Sequence, residues 1–208
     1  MHNHLIFKLL LPLFALVLSS CAAKQPAMKV DYTSVSPGTS VERNGIKLAL
    51  AGTGIEVGKQ LPETALVDAV SMQAVNLREY QGKVLLLSIV PSIDTKVCET
   101  QTHYLGEEGD VLPPTVKRIT VSRDTPFAQS RFAEEAKLTD IQYLSDYKEG
   151  AFGRSVGLLL DGPRLLARSV IIVDKQGIVR YIQVVPDITH LPDMEKAFST
   201  AVELANES

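Results

Sequence analysis

Apolar residues recur along the chain in two rhythms, and the switches between them mark the elements. Residues 41–50, VERNGIKLAL, alternate on either side of Asn44-Gly45, a dipeptide that lets two strands turn back tightly, so a β-hairpin is expected. Thr64 to Val70 reads as a short strand, and Asn76 as the cap of a brief helix through Tyr80, before Gly82. Residues 83–91, KVLLLSIVP, are apolar without alternation, which suits a strand buried on both faces and ended by Pro91. A helix is expected from about Thr95 to about Glu108, then a strand at VKRITVS. A second helix opens at Thr125-Pro126, where proline's missing N–H costs nothing, and runs to about Leu138.

A short helix around Lys148 to Val156 precedes an apolar Leu158-Leu159-Leu160 and a turn at Asp161-Gly162. ARSVIIVDKQGIVRYIQVV, residues 167–185, reads as two strands around a Lys175-Gln176-Gly177 turn. Pro192 begins the last helix, whose Met194, Ala197, Phe198, Ala201, Val202 and Ala205 keep a helical period and would pack on a sheet. This order of strands and helices, closed by an antiparallel hairpin and a helix, predicts an α/β thioredoxin-like fold with an N-terminal β-hairpin extension. A flavodoxin-like doubly wound sheet is the alternative. It fits less well, because parallel strands cannot be joined by the tight turns read near the end of the chain.

The length of 208 residues, 45% of them apolar, allows one substantial core and one domain. A formal charge of -3 without a face-length Lys/Arg run argues against nucleic acid as a partner. Two cysteines, Cys21 and Cys98, cannot form a disulfide scaffold, and no Cys/His cluster has zinc spacing, so neither a structural metal nor a cofactor is called for.

Residues 1–20 read as an export signal: Lys8 supplies a charge, Leu9 to Leu18 is apolar apart from Pro12, and Ser19-Ser20 leads into Cys21. The apolar run is shorter than the roughly 20 residues a spanning helix needs. Leu18-Ser19-Ser20-Cys21 resembles the lipobox of bacterial lipoproteins, which implies a lipid on Cys21, anchoring to a membrane and a place in the bacterial cell envelope. Ala22 in place of an aspartate favours the outer membrane where there are two. Residues 21–40, small and polar with two prolines, read as a tether, and residues 41–208 as the domain.

Candidate chemistry centres on Cys98, which falls after the apolar strand where a helix begins. There, backbone N–H groups and the helix dipole favour a thiolate. Pro91, Thr95 and Cys98 form the pattern P-x-x-x-T-x-x-C. It resembles the active-site signature of the peroxiredoxins. Together with DTPFAQSRF at 124–132, DGP at 161–163 and ARSVIIVD at 167–174, it is similar to the bacterial thiol peroxidases, the atypical two-cysteine branch. The resemblance spans residues 41 to about 205.

The resemblance implies a thiol peroxidase acting on hydrogen peroxide and organic hydroperoxides. Cys98 matches the peroxidatic cysteine, whose thiolate attacks the terminal peroxide oxygen and becomes sulfenic acid. Thr95 matches the hydroxyl that bonds the sulfur and the peroxide, Arg168 the arginine that holds thiolate and departing oxygen, and Pro91 the residue that shields the pocket. A free thiol of pKa about 8.5 is roughly 3% ionised at pH 7, so ionisation alone gains only about 30-fold. Aligned donors must therefore supply most of the catalysis.

Each residue also has a plainer reading: Cys98 as a small buried hydrophobe, Thr95 as a helix cap, Arg168 as a surface or ion-pair residue. Phe127 and Phe132 read as core. His103 falls on another helical face from Cys98, and His190 in a loop.

In the thiol peroxidases a second cysteine follows the SRF segment; here Ala133 does. A one-cysteine cycle is therefore expected, with an external thiol reductant, either a small thiol or a thioredoxin-like protein, and a homodimer is expected from the resemblance. A sensor or chaperone of the same fold that oxidises without turnover is the rival. A disulfide exchanger fits worse, since Thr95 stands where C-x-x-C enzymes carry their first cysteine.

Overall fold

The computed structural model describes residues 28–107 and 111–207, so the expected signal segment and Cys21 lie outside the described residues. A seven-stranded mixed sheet forms the centre, in the order β10-β9-β5-β6-β7-β3-β4. Its strands are β3 (Ala65–Asp68), β4 (Ala74–Asn76), β5 (Val84–Ile89), β6 (Val116–Ser122), β7 (Gln142–Ser145), β9 (Ser169–Val173) and β10 (Val179–Val184). A smaller sheet joins the hairpin β1 (Ser40–Arg43) and β2 (Ile46–Ala51) to the short β8 (Leu159–Leu160). The helices are α1 (Lys96–Glu107), α2 (Pro126–Ala136), α3 (Ala151–Ser155) and α4 (Met194–Asn206).

Strand β5 is wholly buried, as its unbroken apolar run requires, and pairs parallel to β6 and antiparallel to β9. Its side chains alternate between two cores. Val84 and Leu86 join Val170 and Ile172 under Leu105 of α1 and Ala197 and Ala201 of α4. Leu85, Leu87 and Ile89 point the other way, onto Phe152 of α3 and the hairpin sheet. Ser88 breaks the apolar run and faces Gln101 of α1.

The hairpin turns at Asn44 and Gly45, both with positive φ (51 and 79), as a primed two-residue turn needs. Thr125 caps α2 by accepting from the Ala128 N–H, with Pro126 at the first helical position. The parallel β5–β6–β7 core, the closing β9–β10 hairpin and the α4 cover give the thioredoxin-like arrangement with its hairpin extension.

Four local expectations differ. Residues 28–39, which composition assigns to the tether, lie along the domain: Val35 N–H donates to Val184 O (3.0 Å), Asp31 N–H to Leu191 O (2.8 Å), and Gln183 Nε2 to the carbonyls of Asp31 and Thr33. Backbone groups make most of these bonds, so a polar composition conceals them. Beside this strap, Gly58 and Lys59 bond the backbone of Val179, so both ends of the outer β10 edge are covered. Phe127 is 72% exposed, because the second position of α2 points outward, whereas Phe132 is packed as expected. The third helix starts at Ala151 rather than Lys148, since Asp146 accepts from the Phe152 and Gly153 N–H groups and fixes its beginning there. The three-residue β4 was not expected; it is too short to carry an alternation.

Candidate active site

The loop after β5 and the first turn of α1 bring Pro91, Thr95 and Cys98 together, as their spacing demands. Cys98 has no exposed surface; it packs with Val90 and Ile93, against Phe132 of α2. Thr95 Oγ1 lies 3.0 Å from Cys98 Sγ and 3.3 Å from Ser92 O. A hydroxyl has one proton, so it donates to one of these at a time.

Arg168 comes from the segment before β9 and is 2% exposed. It is therefore no surface residue. Its three nitrogens are each engaged: Nε donates to Ile188 O (2.8 Å), Nη1 to Gln101 Oε1 (2.7 Å) and Nη2 to Cys98 Sγ (3.2 Å). Burial pushes the guanidinium below its ordinary pKa, and attraction and hydrogen bonding to Cys98 oppose that shift. Two of the three bonds fix the group and leave the third aimed at sulfur. The planar fork suits this task better than a flexible ammonium.

Gln101, one helical turn after Cys98, is a residue that the sequence did not single out. Its oxygen accepts from Arg168, while Nε2 donates to Ser88 Oγ (2.8 Å) and lies 3.5 Å from Ser169 O, so its amide can point only one way. The polar break at Ser88 in an otherwise apolar strand was the available signal.

Asp124 was missed too. It accepts from Ser92 Oγ (2.7 Å), Ile93 N–H (2.8 Å) and Ser122 Oγ (2.6 Å), tying the Cys98 loop to the end of β6.

Pro91, Thr95 and Arg168 line a cleft of about 250 Å³. His103 faces away, beside Glu99 and Glu107, and His190 lies between Asp31 and Asp187. Ala133, 6% exposed, belongs to the α4 core. Cys98 is the free cysteine of the described residues, and among them no cluster of His, Cys, Asp or Glu could hold a metal. No described helix is long and apolar enough to cross a membrane.

Comparison with known proteins agrees across methods. The Redoxin family model matches residues 56–198. A thiol peroxidase of Listeria innocua is 40% identical over 154 residues, 74% of this chain and 92% of that protein. One of Staphylococcus saprophyticus is 41% identical over 150 residues, 72% and 90%. The crystal structure of a peroxiredoxin-like protein from Aquifex aeolicus superposes with a TM-score of 0.75 at 32% identity, covering 82% of this chain and 99% of that one.

Proposed function

The chain belongs to the thiol peroxidases of the redoxin family, and from that premise we propose that it reduces hydrogen peroxide and organic hydroperoxides in a one-cysteine cycle through Cys98. The thiolate of Cys98 attacks the terminal oxygen of the hydroperoxide. The S–O bond forms as the O–O bond breaks, and the alkoxide or hydroxide that departs takes up a proton. Arg168 and Thr95 donate to sulfur and to the oxygen on which charge grows, and Pro91 keeps bulk water from the pocket. Cys98 leaves this step as a sulfenic acid.

A first external thiol then displaces water to give a mixed disulfide, and a second releases Cys98 as thiol and departs as disulfide. The external reductant is inferred from Ala133, which occupies the position of the second cysteine and offers no sulfur. The observation that carries the peroxidase reading is the buried sulfur held between the Thr95 hydroxyl and the Arg168 guanidinium. The absence of a sulfur at position 133 also motivates the second reading, a sensor that oxidises once.

The soluble domain with excess dithiothreitol distinguishes the two. Repeated consumption of hydrogen peroxide, abolished by Cys98→Ser, is expected. A single stoichiometric burst under every thiol supplied would leave the sensor. A lipid on Cys21, placing the enzyme in the cell envelope, and a homodimer complete the proposal. Mass spectrometry of the mature N-terminus tests the first, and sedimentation of the purified domain the second.

A further inference from the structure

The carbonyl that holds Arg168 is itself supported from the start of the domain. Arg168 Nε donates to Ile188 O (2.8 Å), in the turn of residues 187–190 that follows β10. Backbone bonds fix this turn on two sides. On the hairpin side, Ile188 N–H donates to Glu42 O (2.9 Å) and Glu42 N–H to Pro186 O (2.7 Å); on the strap side, Leu191 N–H donates to Lys29 O (2.8 Å). Within the turn, Asp187 Oδ1 accepts from the Thr189 N–H (3.0 Å) and from its hydroxyl (2.8 Å).

His190 adds charge to this frame. Nδ1 lies 3.4 Å from Asp31 Oδ2 of the strap, and Nε2 lies 3.8 Å from Asp187 Oδ2. An imidazole can present both nitrogens as donors only when it is protonated. Burial raises the carboxyl pKa of Asp31 and of Asp187, but hydrogen bonds from Thr33 and Thr189, with the imidazole's attraction, outweigh it and hold both below the ordinary value. These two carboxylates are the charged groups in contact with His190 among the described residues, and the hairpin meets the turn through backbone groups of Glu42 and Asn44. The His190 and Asp31 side chains are only 19% and 18% exposed, so water screens the pair incompletely.

We infer that His190 is a positioning residue for the peroxidase: bridging Asp31 and Asp187, it locks the turn whose Ile188 carbonyl keeps the Arg168 guanidinium aimed at Cys98. The inference rests on the peroxidase reading and adds a residue to its site. Ile188 O and Gln101 Oε1 together fix the plane of the guanidinium. With the carbonyl displaced, the group can swing about its remaining bond, and the donor aimed at sulfur loses its direction. Asp31 lies outside residues 56–198, which the Redoxin model matches, so part of the support for Arg168 comes from beyond the matched segment.

The test is the rate constant for single-turnover oxidation of Cys98 by hydrogen peroxide in the purified full-length chain, which needs no reductant, with urea unfolding measured beside it. His190→Ala should lower that constant by about twofold to fivefold, the scale of one partly exposed charge pair. Asp31→Asn leaves the strap's backbone bonds in place and should do the same; it carries the test if His190→Ala fails to fold. Combining the two should cost little more than either alone. In an Arg168→Gln background His190→Ala should cost nothing further, because the residue acts through that guanidinium, whereas a general loosening of the fold would still slow the reaction. The wild-type advantage over His190→Gln should shrink between about pH 5 and pH 8, where an imidazole loses its proton while Asp31 and Asp187 stay charged. An undiminished rate in the variants, a loss that persists without Arg168, or an advantage indifferent to pH would overturn the inference and leave the peroxidase intact. A wild-type Cys98 that hydrogen peroxide does not oxidise would end both.

Discussion

Gln101→Leu removes a polar group that never touches peroxide, yet the peroxidase rate should fall with it. Leucine fills a similar volume, so no large cavity opens, but Arg168 Nη1 loses an acceptor at 2.7 Å and Ser88 Oγ loses its donor at 2.8 Å. A hydrogen bond to a charged group contributes about 1.5–3 kcal/mol. If that energy holds the guanidinium toward sulfur, losing it lowers kcat/KM for hydrogen peroxide by about tenfold to a hundredfold, since about 1.4 kcal/mol is one factor of ten. Gln101→Glu keeps an acceptor for Arg168, and the Ser88 hydroxyl can reverse to donate to it, so this variant should recover most of the rate. Dithiothreitol-coupled peroxide consumption gives the rate, and urea unfolding gives stability separately. A Leu variant that loses stability but keeps kcat/KM within about twofold would show that Gln101 supports the fold alone, and the positioning argument would fail.

Asp124→Ala should lower stability by about 2–3 kcal/mol, because the Ile93 N–H and two serine hydroxyls lose their acceptor, and should reduce peroxidase activity by loosening the Cys98 loop; urea unfolding and the same coupled assay read both. Gly52 has φ +110, and a Cβ there would lie 1.9 Å from Arg154 O, so Gly52→Ala should cost about 2–5 kcal/mol in urea unfolding from strain and overpacking together. Burial raises the pKa of Asp68, but hydrogen bonds from Ser71, Gln142 and Val70 outweigh it and hold the group below its ordinary 3.8. Its contribution is therefore present above that value and lost as pH falls through the lower folded value. Unfolding titrations between neutral pH and pH about 2 should show this acid-side slope, and Asp68→Asn should flatten it.

Residues with a fixed spacing from Cys98 were legible in the chain, since one loop and one helical turn dictate where Pro91 and Thr95 fall. Arg168 lies 70 residues from Cys98 and was legible only through resemblance, because nothing local distinguishes it from an arginine at a strand end. Gln101 shows the opposite limit. A glutamine on a helix reads as solvent-facing, and only its contacts with Ser88 and Arg168, from two other elements, make it a buried anchor. The unbroken apolar run of β5 correctly signalled a strand buried on both faces, whereas Phe127 went astray because an aromatic beside Pro126 carries no period to say which way it faces.

The strap over β10 bears on the order in which the molecule assembles. Its bond from Gln183 to Asp31 spans 152 residues, among the longest separations in the fold, so the entropy of closing that loop is spent before any contact returns it. The strap therefore docks late, after β9 and β10 have paired, and until then one margin of the sheet stays open to any extended strand nearby. The final seal of the domain joins Asp31, Thr33 and Val35 near its start to Gln183, Val184 and Leu191 near its end, so the sheet stops offering a free edge to neighbours only once most of the domain has been made.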